Sequence, residues 1–152
     1  MMHCLRKKGN NGFTIIELLV VMGILSVLFS IVLVVVNPAV QFSRANNAKR
    51  RSDILAILNA IGAYAADNKG VLPSGITTTV SIISDSVGGA EICSALVPKY
   101  IPALPVDPSL KTNDVTTCTN YNTEYTVVKD ANNRVTVVAP NQENGEVISI
   151  TR

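Results

Sequence analysis

Lys7-Lys8-Gly9-Asn10-Asn11-Gly12-Phe13-Thr14-Ile15-Ile16-Glu17-Leu18-Leu19-Val20-Val21 sets a short basic stretch before a glycine, and then an apolar run that carries a single carboxylate. From Phe13 to Val36, about 24 residues contain no charge except Glu17. At about 1.5 Å rise per residue, such a helix covers a hydrocarbon core of roughly 30 Å. An ionised side chain at the centre of a membrane helix costs roughly 2.5–3.5 kcal/mol, and less near an end. Glu17 therefore reads as a functional group in need of a partner.

The apolar run is too long for a secretory signal core of about 7–15 residues, and no small-residue cleavage site follows it closely. A plain membrane anchor fits the length but leaves Glu17 unexplained. The segment Gly12-Phe13-Thr14-Ile15-Ile16-Glu17-Leu18-Leu19-Val20-Val21 resembles the processing site of type IV pilins and of the related pseudopilins of type II secretion. The resemblance implies cleavage after Gly12 by a prepilin peptidase on the cytoplasmic side and N-methylation of Phe13. Residues 1–12 are then a leader, 13–36 a hydrophobic transmembrane and assembly helix, 37–70 an amphipathic helix half, and 71–152 a globular head. It also implies a role for Glu17: its carboxylate pairs with the amino terminus of a neighbouring subunit, and a wrong axial register leaves two buried charges unpaired.

Composition bounds what lies beyond the anchor. At 152 residues there is room for one small additional domain. The formal charge of +2 includes Arg6, Lys7 and Lys8; without them ten Lys and Arg face eleven Asp and Glu, about −1. No globally basic, nucleic-acid-binding protein is implied. Cys4 lies in the leader, which leaves Cys93 and Cys118 as an even pair that an oxidising compartment would let bridge. The only histidine, His3, is also in the leader, and no Cys-x-x-Cys occurs, so a metal site on these cysteines is disfavoured. Lys and Arg near the two ends of the apolar run number three and four, so charge alone does not orient it. The processing-site resemblance and the paired cysteines put the amino end in the cytoplasm and the head outside.

Asn37-Pro38 is the first strong punctuation, expected to kink or open the helix. Helical periodicity then returns, with Ile54, Ile57, Leu58, Ile61, Tyr64 and Ala65 on one face that should pack under the head. The helix is expected to end near Asn68-Lys69-Gly70, and a continuous stem from Phe13 would be roughly 80 Å long. Arg44, Lys49, Arg50 and Arg51 cluster on this half. They read as a solvated helix face with Asp53 in reach of Lys49 or Arg50, in preference to a patch for phosphates of lipid or DNA.

From Val71 to about Asp114 the chain reads as a loop-rich connector with one short helix near Glu91 to Val97. Within it, Tyr100 to Pro108 is similar to a segment of major pseudopilins that ends in Leu-Pro-x-Asp-Pro. Those proteins continue with Trp-Gly and later a glycine- and aspartate-rich calcium loop, whereas here Ser109 follows Pro108 and no tryptophan is present. Asp107 is thus expected to serve a turn. Tyr121 to Val128, Arg134 to Ala139 and Glu146 to Ile150 show strand periodicity, giving about three antiparallel strands docked on the helix. The fold class expected is α+β, a pilin fold.

No nucleophile elbow, Walker loop, dinucleotide fingerprint or zinc-protease motif occurs, so no enzyme is expected and no cofactor is called for. The resemblance implies a helical homopolymer, with the peptidase, an assembly ATPase and an inner-membrane platform protein as partners. It places the subunit in the cytoplasmic membrane before assembly and in a cell-surface or extracellular filament afterwards. The alternatives are a pseudopilin of a type II secretion system and a membrane-anchored binding module that forms no filament.

Overall fold

The computed structural model describes residues 12–152. The leader expectations for residues 1–11, including those for His3, Cys4 and the basic residues, lie outside the described residues. The chain forms two compact units, one up to Pro38 and one from Ala39 onward.

In the first unit, helix α1 (Ile15–Val36) has no buried residue. It is long and apolar enough to cross a membrane by length and composition. Its two serines turn their hydroxyls back onto the helix. Ser26 Oγ donates to Met22 O at 2.8 Å, and Ser30 Oγ to Ser26 O at 2.9 Å. No hydroxyl is therefore left facing an apolar surrounding. The helix stops at Asn37, whose φ of 40° is left-handed. Pro38 is the cause: its ring excludes the α region for the residue before it, and asparagine tolerates the left-handed alternative. Pro38 itself opens α2 (Pro38–Asp67), at a position where its missing N–H costs no helical bond.

The second unit is a helix covered by a sheet. Ile54, Ile57, Leu58 and Ile61 of α2 recur at three- and four-residue spacing and are fully buried. Tyr64 packs at the margin of the same core. The buried stripe continues toward the amino end through polar groups, Asn47, Arg50 and Asp53. Lys69 and Gly70 take left-handed conformations beyond the last turn, and Gly70 N returns a hydrogen bond to Ala65 O at 2.8 Å.

The sheet is antiparallel in the order β1 (Ser81–Ser84), β2 (Asn122–Lys129), β3 (Val135–Val138) and β4 (Ser149–Thr151). It has four strands where about three were expected. The additional one, β1, comes from the stretch read as connector. Four residues with two adjacent isoleucines carry no usable period, and β1 is defined by pairing with β2, Ser81 opposite Val127 and Ser84 opposite Asn122. A bulge separates Ile82 from Ser84. On β2 the residues Thr123, Tyr125 and Val127 alternate inward, and Val135 and Val137 do so on β3. Tyr125, Val127, Val135 and Val137 meet the α2 isoleucines in one core with Ile83, Leu104 and Ile148. The fold is α+β.

Between β1 and β2 lie a short helix α3 (Cys93–Leu96) and a 3-10 turn at Pro108–Leu110. Asp85, just after β1, accepts the backbone N–H of Tyr121 at 3.0 Å and that of Asn120. This ties the two ends of the connector together.

Candidate functional site

Gly12 and Phe13 precede α1 outside any helix and are exposed, with Phe13 88% accessible. Thr14 is the N-cap residue, with extended backbone. Its Oγ1 accepts the Glu17 N–H at 3.3 Å, while Glu17 Oε2 accepts both Thr14 N–H at 2.9 Å and Thr14 Oγ1–H at 2.8 Å. This is a capping box, in which the cap and the third helical residue satisfy each other's orphan groups. The carboxylate that stands out in the sequence thus sits in the first turn, at the positive end of the helix dipole. All its hydrogen bonds fall on Oε2, so Oε1 has no partner among the described residues. Thr14 was not singled out from the sequence, although Thr-x-x-Glu before an apolar run is the spacing of a capping box.

The basic cluster is not a single solvated face. Lys49 pairs with Asp53 at 3.0 Å, as expected for i,i+4 spacing, and Arg51 with Glu146 at 2.6 Å. Arg50 corrects the reading: its side chain is 1% exposed and engages Asp107, 57 residues away. Nε donates to Asp107 Oδ2 at 2.8 Å and Nη2 to Oδ1 at 3.1 Å, a two-pronged contact. Nη1 reaches Asn47 Oδ1 at 2.9 Å and Glu143 Oε1 at 3.3 Å. Local spacing could not reveal this, because the partners come from the proline-rich segment and from the β3–β4 connection. Arg44 is exposed.

Asp107 caps the turn at Pro108–Leu110, accepting Ser109 N–H at 2.9 Å and Ser109 Oγ–H at 2.6 Å. Burial alone would raise its carboxyl pKa, but the hydrogen bonds from Arg50 and Ser109 outweigh burial and hold it below the ordinary value. Hydrogen bonding to Asp107 in turn raises that of Arg50. Among the described residues no group of three or more His, Cys, Asp or Glu is arranged to hold a metal ion.

Cys93 opens α3 and Cys118 lies in the loop before β2; the two are joined by a disulfide. Nearby in the chain, the Tyr121 hydroxyl is buried and finds no hydrogen-bond partner among the described residues. Burial is the main cause that pushes it up to about 12.

Residues 7–33 match the family model described as the prokaryotic N-terminal methylation motif. The chain is also 34% identical over 104 residues to type II secretion system core protein G of Aeromonas hydrophila, covering 68% of this chain and 71% of that protein. The likeness therefore extends well past the methylation motif. No solved structure matches the chain.

Proposed function

This chain belongs to the type IV pilin and pseudopilin family, and on that footing we propose that it is a processed, membrane-stored structural subunit that polymerises through α1 into a filament. The observation that carries this reading is a helix of 22 apolar-rich residues with none buried, bearing one carboxylate already placed at its amino end. A helix apolar on all sides needs lipid or other copies of itself around it.

Cleavage falls between Gly12 and Phe13, and Phe13 becomes the methylated amino terminus. Both residues stand outside the helix and exposed, as a peptide substrate must to enter a peptidase. The amine of a neighbour's Phe13 meets Glu17 at Oε1, the oxygen that Thr14 leaves open. Each charge offsets much of the cost of burying the other, so the pair selects axial register more than it adds net stability. The head folds outside the cytoplasm, where Cys93 and Cys118 oxidise. Prepilin peptidase, an assembly ATPase and a membrane platform protein act on the chain from without.

Of the two filament types, the 104-residue likeness to a type II secretion core protein supports a pseudopilus. A surface pilus is the second reading, favoured by Ser109 standing after Leu-Pro-x-Asp-Pro and by the absence of tryptophan.

Intact-mass measurement on sheared surface material and on membranes of native cells tests both layers. A chain starting at methylated Phe13 is expected. Its confinement to membranes supports the pseudopilus and its abundance in sheared filaments the pilus, while an uncut amino terminus would overturn the proposal. In addition, Glu17→Ala should insert normally but assemble poorly; filaments at wild-type yield would remove the role given to Glu17.

A further inference from the structure

We propose that Arg50 is the internal counter-ion around which the head closes, so that the fold of the head requires no divalent cation. Three separate segments converge on this guanidinium. Helix α2 supplies Asn47 and Arg50 itself, the proline-rich segment supplies Asp107, and the β3–β4 connection supplies Glu143. Asn47 reinforces the third segment from both sides: Nδ2 donates to Glu143 O at 2.8 Å and Oδ1 accepts Glu143 N–H at 3.0 Å.

The resemblance of Leu104-Pro105-Val106-Asp107-Pro108 to a segment of calcium-binding heads makes calcium the ion to consider; the groups around Asp107 and Glu143 do not fit it, and among the described residues no group of three or more His, Cys, Asp or Glu is arranged to hold a metal ion. Calcium takes six to eight oxygen ligands. Around Asp107 the neighbouring groups are donors: Nε and Nη2 of Arg50, and the amide and hydroxyl of Ser109. Glu143 Oε1 is engaged by Arg50 and by Asn46 Nδ2 at 3.2 Å. Asp107 and Glu143 are thus held by a cation that the chain itself provides. With Arg50 at 1% and Asp107 at 0% side-chain exposure, neither charge can be left alone. Removal of one member of such a buried pair is severely destabilising, whereas removal of both is far better tolerated.

The test is thermal unfolding of the full chain in detergent micelles, followed by near-UV circular dichroism, in calcium, in magnesium or in a calcium chelator. The midpoint is expected to be the same in all three. Arg50→Met should lower it by more than about 10 °C, Arg50→Lys by less, and the Arg50→Met/Asp107→Leu pair should recover part of the loss. A wild-type midpoint raised by calcium but not by magnesium overturns the proposal, as does an Arg50→Met variant that melts like the wild type. Should Arg50→Met not fold, the calcium comparison on the wild type and the paired variant still decide. The measurement reads the head alone, so its outcome is independent of which filament the subunit enters.

Discussion

The Tyr125 hydroxyl donates to Asp53 Oδ2 across 2.8 Å and 72 residues of sequence, fastening the buried face of β2 to α2. Tyr125 is fully buried and Asp53 is 9% exposed. Burial, then the hydrogen bond to Asp53, pushes the Tyr125 phenol well above its ordinary value. Hydrogen bonds to charged groups contribute roughly 1.5–3 kcal/mol. Tyr125→Phe should therefore lower stability by about 2 kcal/mol, read as a lower denaturation midpoint in urea with unchanged slope.

Thr14→Val keeps the shape of the N-cap but removes its hydroxyl, leaving Glu17 with the Thr14 backbone N–H as its remaining capping bond. Losing such a cap costs about 1 kcal/mol, equivalent to about a five-fold change in an equilibrium. Leader cleavage should continue at the wild-type rate while filament yield drops by about that factor, and Thr14→Ser should restore it. Immunoblots of the cleaved chain beside sheared-fraction yields check the two halves separately.

The Cys93–Cys118 bridge spans 25 residues of sequence. The chain-entropy account assigns a loop of this size about 3.5 kcal/mol. The Cys93→Ala/Cys118→Ala chain should unfold at a distinctly lower denaturant concentration, and a reductant should affect the wild type but not this variant.

Acid stability follows from Asp107. Its folded pKa lies below the unfolded value, so its contribution is complete above that unfolded value of about 3.9 and is lost as pH falls through the folded one. The unfolding midpoint should be level from about pH 7 to pH 5 and decline below about pH 4, and Asp107→Asn should show a shallower decline. At the alkaline end, Tyr121 is pushed up to about 12 by burial. Its contribution is complete below the unfolded value of about 10 and is lost as pH rises through the folded one. Tyr121→Phe should flatten that limb.

Gly75 packs so closely on the segment at Glu91 that an added Cβ would clash with Glu91 O and lie 2.9 Å from Glu91 N. These are backbone atoms, which cannot swing aside. Gly75→Ala should cost about 1–3 kcal/mol, as overpacking does; a midpoint equal to wild type would mean that the connector yields more readily than its packing implies.

The elements that were legible in the sequence are those fixed by local pattern. The uninterrupted run to Val36, the stripe from Ile54 to Ile61 and the alternation through Tyr125 and Val127 each declare their element by period alone. Asn37 and Pro38 mark the break between helices by their own backbone preferences. What escaped was non-local. Strand β1 exists through its pairing with β2, and Arg50 is buried because Asp107 and Glu143 are delivered to it by distant turns. At the candidate site, Glu17 was conspicuous as a charge in the wrong place. Its bond to Thr14 is local, but a charge inside an apolar run points to a partner on another molecule and so hides the Thr-x-x-Glu spacing of a cap.

Helix α1 carries no polar stripe: Ser26 and Ser30 are folded back on their own backbone, and Glu17 alone interrupts the apolar surface. Such a cylinder can be told up from down by its one carboxylate but looks nearly the same from every side. In the proposed assembly, copies packed together through it would be positioned along the axis by that carboxylate and little constrained about it. Their azimuth, and with it the handedness and pitch of the proposed filament, would then fall largely to the surfaces of the head.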